Sequence, residues 1–426
     1  MSASSRYTAI KGVQDIMPPD IFLWQNAENI AKEVFSFYGY QELRAPIIES
    51  TDIFVRSIGE TSDIVEKEMY TFADKADRSI TLRPEGTAPV VRCYIENHLY
   101  SLPSPQKFYY SGPMFRYERP QKGRFRQFYQ IGAEAFGVAE PKIDAEILAM
   151  LREYLNAIGL NELTCEINSI GCEDCRPSFR TALRDFFHDR QGALCPDCQR
   201  RFTLNPLRIL DCKIEACIGL RKGSPHVTDF LCGPCKEHFE MLLSLLKLLD
   251  LPYVINPELV RGLDYYTRTT FEITTEHLGA QKAVAAGGRY DRLVSEFGGP
   301  PTAAIGFAIG MERLAALMKT ITVHDVPVPK VVIAALGAAA EREGLLIAQR
   351  LRKHGIWAEL GYDNKSLKSQ MRRADKLGAD YVLIMGDDEI NSGILKWKRL
   401  SDKTQGEIPV SEAHTMFIRQ HQAFLP

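Results

Sequence analysis

Arginines interleaved with aromatic residues carry the first chemical signal in this chain. Phe115–Phe128 reads FRYERPQKGRFRQF and sets five cations against one carboxylate, Glu118. Guanidinium forks match phosphate oxygens, and aromatic faces stack bases. Arg116 leaves the apolar run Phe108–Phe115, so it projects from a sheet, while Arg119–Gln127 around Gly123 is a hairpin loop. A solvated charged loop is the competing structural reading. Three further stretches offer reactive groups. Leu82–Thr87 (LRPEGT) puts Glu85 and Thr87 at a strand-to-helix turn. An N-cap role for Thr87 explains that hydroxyl equally well. Arg261–Glu272 (RGLDYYTRTTFE) places an arginine, an acid and paired tyrosines before a strand, where cross-strand aromatic pairing is the plain alternative. Ala303–Leu314 (AAIGFAIGMERL) is a strand of small residues leading into a helix with Arg313 at its start. A buried strand–helix corner fits it too.

Thiols are the second signal. Eight of the ten cysteines fall between Cys172 and Cys235. They form the pairs Cys172/Cys175, Cys195/Cys198, Cys212/Cys217 and Cys232/Cys235, three of them with the C-x2-C spacing that seats two thiolates on one metal. Four pairs build two four-cysteine zinc sites, or one site plus spare thiols, or no site at all if the thiols are simply reduced and half-buried. Any zinc held by four thiolates is structural, because no coordination position stays open. Disulfides are disfavoured in a cytoplasmic compartment.

The elements that must position these groups follow from periodicity. Residues 20–38 carry a helical stripe of Ile21, Trp24, Ala27, Ile30, Ala31, Val34 and Phe35. Tyr40–Pro46 is extended and Ser79–Arg83 a strand. Thr87–His98 is a helix with Pro89 in its first turn, where the missing N–H costs nothing. Lys107–Glu118 and Phe128–Gly137 are antiparallel strands, and Asp144–Ile158 is a helix. The cysteine-rich stretch is foreign to its flanks, which marks 165–250 as an inserted small domain between two catalytic parts, 1–164 and 251–325. Strands resume at Pro252–Ile255, Tyr265–Thr275 and Ala303–Gly310, then a helix at Met311–Met318. After the proline-containing linker Val326–Pro329 the pattern becomes strand Val331–Leu336, helix Ala338–Lys353, strand Trp357–Leu360, helix Ser366–Leu377, strands Tyr381–Met385 and Gly393–Trp397, and helix Ser411–Gln422. That alternation predicts a separate α/β domain over 330–426.

Bulk properties bound the class. The 426 residues suit two or three domains, with 45% apolar and 25% charged residues as in soluble globular proteins. A net charge of −2 announces no nucleic-acid partner globally, so one must be sought in local patches. Met1–Ile10 lacks an apolar segment and reads as mature protein. His238–Ile255 is broken by Glu240, Lys247 and Asp250, so it reads as an amphipathic helix and not a membrane span. A soluble, cytoplasmic protein is expected.

Singly ambiguous, the motifs are distinctive in combination and order. Pro46, Phe115–Glu118 and Gly310–Arg313 look like motifs 1, 2 and 3 of class II aminoacyl-tRNA synthetases. Arg83–Thr87, Arg261–Phe271 and Ala286-Gly287-Gly288-Arg289-Tyr290-Asp291 resemble the signatures of histidyl-tRNA synthetases. The resemblance spans essentially the whole chain. No His-Ile-Gly-His string of class I synthetases and no Walker A glycine loop is present. The cysteine-rich insertion is outside the family's catalytic signature.

The resemblance implies an α+β fold: an antiparallel-sheet catalytic domain with a small insertion, plus a C-terminal α/β anticodon-binding domain. It implies a ligase that joins ATP and L-histidine to histidyl-adenylate, then charges the 3′-terminal adenosine of tRNA-His. Arg116, Arg261 and Arg313 would be catalytic. Arg116, Glu118, Phe128 and Arg313 would bind ATP with magnesium. Glu134 and Tyr266 would meet the imidazole, Glu85, Thr87 and Gln130 the α-amino group, with Arg261 at the carboxylate and Tyr290 completing the pocket. Gln121, Arg124 and Arg126 would approach the tRNA acceptor end. Lys365, Lys368, Arg372, Arg373 and Lys376, on or beside one helix, would face the anticodon arm unless they are a solvated helix face. A homodimer built on the motif 1 region is implied as well. The competing family reading is a non-catalytic, synthetase-like regulatory subunit of ATP phosphoribosyltransferase, which lacks the anticodon domain and loses signature residues. A zinc-ribbon nucleic-acid binder explains the cysteines alone.

Overall fold

The aromatic-rich runs flanking the basic loop form strands Gln106–Phe115 and Gln127–Phe136, paired antiparallel from Gln106 opposite Phe136 to Phe115 opposite Gln127. The computed structural model containing them describes residues 7–59, 62–121, 123–261, 263–278, 282–321, 326–362 and 366–422. The chain forms two compact units, Met1–His324 and Asp325–Pro426.

Strands of the first unit are, in chain order, β1 (Gln41–Glu42), β2 (Ile48–Ser50), β3 (Tyr70–Ala73), β4 (Ser79–Leu82), β5 (Gln106–Phe115), β6 (Gln127–Phe136), β7 (Thr164–Ser169), β8 (Val254–Ile255), β9 (Thr267–Thr274), β10 (Ala283–Arg289) and β11 (Ala304–Gly310). Eight of them make one sheet in the order β1-β5-β6-β11-β10-β9-β7-β8, and β2-β4-β3 form a small second sheet. The large sheet is antiparallel except at its two edges, where β1 joins β5 and β8 joins β7 in parallel. One face is sealed by helices Asp20–Phe37, Lys142–Ala157, Gly233–Leu248 and Met311–Ile321, whose Phe35, Tyr154, Leu242 and Leu314 pack on Ile131, Ala133, Ile305 and Phe307. Each such burial contributes roughly 1.5–3 kcal/mol.

A charged pair sits inside this packing. Arg289 and Asp144 are both fully buried, with Nε donating to Oδ1 at 2.9 Å. Thr269 donates to the Asp144 Oδ2 at 2.7 Å, and the Arg289 Nη groups reach Asp291 and the Val138 carbonyl, both at 2.8 Å. The pair thereby ties the helix Lys142–Ala157 to β9 and β10.

The elements named from periodicity are present, but β2, β3, β7, the helix Thr51–Ile58 and the helices of the cysteine-rich stretch are not among them, and three differences bear on the domains. β10 reads AVAAGGR, too poor in β-branched and aromatic residues to signal a strand. In the second unit the short helix Asp387–Ser392 and the strand Gln405–Pro409 lie in polar stretches with no periodic face. The inserted module is also narrower than the composition change. β7 pairs with β9 in the main sheet, and Phe239, Leu242 and Leu246 of the helix Gly233–Leu248 join the main core. What departs from the main body is the stretch from Ile170 to Cys232, which holds its own core of Phe179, Leu183, Phe187, Ile209 and Val227.

The second unit is a five-stranded sheet. Its strands are β12 (Val331–Leu336), β13 (Ala358–Leu360), β14 (Tyr381–Gly386), β15 (Ile394–Arg399) and β16 (Gln405–Pro409), in the order β13-β12-β14-β15-β16. On the helix Leu367–Lys376, Lys368, Arg372 and Lys376 are exposed. Arg373 instead turns inward, donating to the Leu360 carbonyl at 2.9 Å and to Glu359 at 2.5 Å. Lys365 lies outside the described residues.

Removing one partner of the buried pair leaves the other charge uncompensated. Asp144→Ala is expected to cost roughly 3–5 kcal/mol of stability, read as a lowered urea midpoint. Wild-type-like unfolding of this variant contradicts the assigned role.

Candidate active site

Alternation along β6 divides its side chains between core and site. Ile131, Ala133 and Ala135 enter the helix-covered core. Phe128, Gln130, Gly132 and Glu134 take the opposite face. The neighbouring β11 sets Gly306, Ala308 and Gly310 across from Glu134, Gly132 and Gln130. These small residues leave open space above the sheet. The space is a cavity of about 610 Å³, and Glu85, Thr87, Arg116, Glu118, Phe128, Gln130, Arg261, Tyr266, Tyr290 and Arg313 all line it. Five separated sequence stretches therefore meet at one place.

Glu134 lies directly behind that wall, fully buried. Its Oε2 accepts from the Tyr290 hydroxyl at 2.5 Å and its Oε1 from the Thr87 hydroxyl at 2.8 Å, with the Tyr110 hydroxyl at 3.5 Å. Burial pushes its carboxyl up to about 8, against the pull of the Tyr290 and Thr87 hydrogen bonds, and the nearby Glu85 charge adds to the rise. A methyl group at Gly306 would overlap the Glu134 carboxylate, and one at Gly132 would overlap the Tyr110 ring. Glu85 is buried too. It accepts from the backbone N–H groups of Thr87 and Ala88 at 2.7 and 2.8 Å, which caps the helix Thr87–Glu96. Glu85 is the capping group here, and the Thr87 hydroxyl is spent on Glu134.

Cations occupy the other walls. The Arg116 Nε donates to the Pro84 carbonyl at 2.9 Å, and its guanidinium lies 5.1 Å from the Phe128 ring centre. Glu118 sits 3.8 Å from Arg116 and 3.3 Å from Arg124. Arg313 donates to the Ala283 carbonyl at 2.7 Å, and burial followed by Arg124 and Arg116 holds its pKa down. Arg261 pairs with Glu272 and lies 5.5 Å from the Tyr266 ring centre. The arrangement is a preorganised positive wall facing a polar pocket, suited to charge that develops on a phosphorus centre.

A family model described as Histidyl-tRNA synthetase matches residues 12–172 and 231–314. A curated relative from Thermodesulfovibrio yellowstonii, described as Histidine--tRNA ligase, is 51% identical over 98% of this chain and 99% of its own length. This chain belongs to the histidyl-tRNA synthetase family. A relative of the same description from Syntrophotalea carbinolica is 52% identical over 94% of this chain and 96% of its own. The crystal structure of apo histidyl-tRNA synthetase from S. aureus superposes with a TM-score of 0.82 at 38% identity, covering 97% of this chain and 100% of that one. A second family model, described as Anticodon binding domain, matches residues 330–420.

The histidyl-tRNA synthetase match passes over residues 173–230, a stretch that carries five of the ten cysteines. The fold sorts the eight thiols into two groups, Cys172/Cys175/Cys232/Cys235 and Cys195/Cys198/Cys212/Cys217, each with all sulfurs within 4.8 Å of one another. Backbone N–H groups donate to sulfur in both, from Cys232 to Cys175 at 3.1 Å and from Cys195 to Cys217 at 3.3 Å. Between β5 and β6, Gln121 and Arg124 close a tight turn through mutual backbone hydrogen bonds of 3.2 and 2.9 Å. Arg124 reaches the cavity wall, whereas Arg126 stacks on Tyr117 at 3.9 Å, and neither Gln121 nor Arg126 lines the cavity.

Four polar residues of the site received no role from the sequence, although Tyr265, Glu272 and Glu312 lie inside stretches it singled out. Tyr110 and Tyr265 line the cavity, Glu272 pairs with Arg261, and Glu312 accepts from the Tyr129 N–H at 3.0 Å with its carboxyl pushed up to about 7, first by burial. Strand register supplies the signal for Tyr110, since it pairs with Gly132, two residues before Glu134 on the same face.

The raised carboxyl of Glu134 has a sign that can be tested. Its folded value of about 8 lies above the ordinary carboxylate value. Its contribution is therefore complete below about pH 4 and is lost as pH rises through about 8. Glu134→Gln stays neutral throughout. Compared at about pH 5 and about pH 9, the wild type should lose urea resistance relative to the variant on going to the higher pH. A pH-independent difference between them rules out a buried titrating Glu134.

Proposed function

We propose that the chain is a histidine–tRNA ligase working in two steps. A histidine carboxylate oxygen attacks the α-phosphorus of ATP, giving histidyl-adenylate and pyrophosphate. The 3′-hydroxyl of the terminal adenosine of tRNA-His then attacks the adenylate carbonyl, and AMP leaves. The observation that carries this reading is the meeting of Arg116, Arg261 and Arg313 around one cavity with Glu85, Thr87, Gln130, Tyr266 and Tyr290.

Arg116 holds the α-phosphate and the histidine carboxylate, Arg261 supports both from the tyrosine side, and Arg313 clamps ATP with the adenine against Phe128. Glu118 contacts ATP. Glu118 and Glu272 on the wall are carboxylates of the kind that would hold a magnesium ion brought with ATP, which would supply positive charge against the pyrophosphate. Tyr266 takes the imidazole, with Glu134 acting on it through Tyr290, which stands between Glu134 and the cavity, while Glu85, Thr87 and Gln130 take the amino group. The Gln130 Oε1 is buried without a partner among the described residues, as a waiting acceptor would be. A pocket of such groups rejects rings that leave them unpaired.

Gln121, Arg124 and Arg126 approach the acceptor end, including the extra 5′ guanosine typical of the family's tRNA. Residues 330–426 grip the anticodon arm, with Lys368, Arg372 and Lys376 as the exposed cationic face. Exposed Ile47, Ile48 and Phe72 beside Pro46 and on the small sheet support a two-fold homodimer there. The enzyme works in the cytoplasm; no helix among the described residues is long and apolar enough to cross a membrane. The regulatory-subunit alternative is disfavoured by the three arginines and by the second unit.

Both thiol groups hold structural zinc in this reading. A tetrahedron with Zn–S bonds of about 2.3 Å has edges of about 3.8 Å. The sulfur separations Cys172–Cys175, Cys172–Cys232 and Cys195–Cys212 are 3.7, 3.8 and 3.9 Å. N–H donors to sulfur favour thiolate ligands.

Exchange of pyrophosphate into ATP should depend on histidine and on no other amino acid, and Arg261→Ala should lower its rate about 10²–10³-fold with the fold intact. A folded wild type without exchange, or a fully active variant, defeats the assignment. Metal analysis should find two zinc ions per chain, falling to one in the Cys195→Ser/Cys198→Ser double variant with histidine activation retained. Zinc-free protein with eight freely titrating thiols excludes the metal sites.

A further inference from the structure

Beside the catalytic cavity lies a second one of about 230 Å³, and its wall is rich in arginine. The two cavities share Val260, Arg261, Leu263 and Tyr266. The inserted module supplies most of the rest: Arg176 and Arg180 from the helix Arg176–Phe187, and Arg208 from the turn Pro206–Ile209. Four guanidinium groups from three segments thus face a chamber whose wall holds one carboxylate, Asp264. That carboxylate is already engaged. Arg208 donates to its Oδ1 at 2.9 Å and Asn205 at 3.3 Å. Glu272, the partner of Arg261, belongs to the catalytic cavity and not to this one.

Donors as well as charge go unanswered. The Nε groups of Arg176, Arg180 and Arg261 are buried and have no acceptor among the described residues. Arg176 donates another nitrogen to the Tyr266 carbonyl, so it is fixed in place with its Nε still unmatched. Gathering like charges and orphan donors in a low-dielectric space is unfavourable unless an anion completes the set. The ligand must offer several acceptor oxygens at once to converging forks, which a tetrahedral phosphate does and a halide does not. A chamber of 230 Å³ is several times the roughly 30 Å³ share of one water, ample for such a group.

We propose that this chamber is a binding site for a phosphoryl anion, separate from the ATP site and built by the inserted module against the Arg261–Tyr266 wall. Two sources share the chemistry: free phosphate or pyrophosphate, and a phosphodiester near the 3′ end of the tRNA, whose terminal nucleotide must enter the adjoining cavity. The second source rests on the ligase reading given above.

Arg180 is the test position, since it lines the chamber and has no part in the catalytic wall. Full-length protein is titrated with inorganic phosphate and its melting temperature followed, because a ligand of the folded state stabilises by mass action. Arg180→Gln should raise the phosphate concentration for half-maximal stabilisation at least about tenfold, the loss of one charge-assisted hydrogen bond. Arg180→Lys should recover part of that loss. The same variants are assayed for histidine-dependent exchange and for single-turnover transfer from preformed adenylate to tRNA. Slower transfer in Arg180→Gln with unchanged exchange identifies the tRNA phosphodiester as the occupant. Weakened phosphate binding with unchanged transfer identifies a free anion. If the phosphate response and the transfer rate are both those of the wild type, the arginines are structural and the proposal is wrong. A wild type that binds phosphate but exchanges no pyrophosphate keeps the anion site and overturns the ligase reading instead.

Discussion

One buried carboxylate sets the terms for the catalytic cavity. Glu134 has no exposed surface, so each of its oxygens must find a donor inside the protein. The donors come from far apart in sequence: Thr87 at the start of a helix and Tyr290 just past the end of β10. Satisfying Glu134 therefore fixes where that helix begins, where β10 ends and which side chain β11 is allowed opposite it. Glu85 caps the same helix from inside, which frees the Thr87 hydroxyl for Glu134.

The opposite side of the sheet anchors this arrangement. Arg289 and Tyr290 are adjacent, and the pleat sends them to opposite faces. Arg289 is locked to Asp144 on the helix-covered side, so Tyr290 is held toward Glu134 on the cavity side. The ion pair ties β10 to the helix Lys142–Ala157, and the register of β10 decides which of its residues look into the cavity. The flat, small-residue floor of Gly306, Ala308 and Gly310 is the other half of the same design.

Legibility in the sequence followed the kind of information each feature needs. The hairpin, the helix Asp20–Phe37 and the alternating second unit were readable because periodicity and burial speak directly to one another. Arg116, Arg261 and Arg313 were readable as chemistry, and as one site only through family resemblance, since spacing does not say that positions so far apart share a cavity. β10 was missed because alanine and glycine carry no strand signature, although its small side chains are what the site requires. Tyr110 and Glu312 were missed because a tyrosine in an aromatic strand and an acid in a helix look ordinary until register and burial are known. For the cysteines, spacing gave four pairs, three of them C-x2-C; which pair joins which depends on the path of the intervening chain, and only the fold supplies it.

The thiol group Cys172/Cys175/Cys232/Cys235 sits where the inserted module leaves and rejoins the main body. Its two halves flank the excursion, with β7 just before and the helix Gly233–Leu248 at its return. Once those ends are clasped together, the entropy of closing the segment between them grows only with the logarithm of its length, about 0.6 kcal/mol per doubling. The clasp thus makes the neck a graft point. The length of what hangs from it imposes little demand on the sheet, while the module face that carries Arg176, Arg180 and Arg208 stays tied to the Arg261–Tyr266 wall.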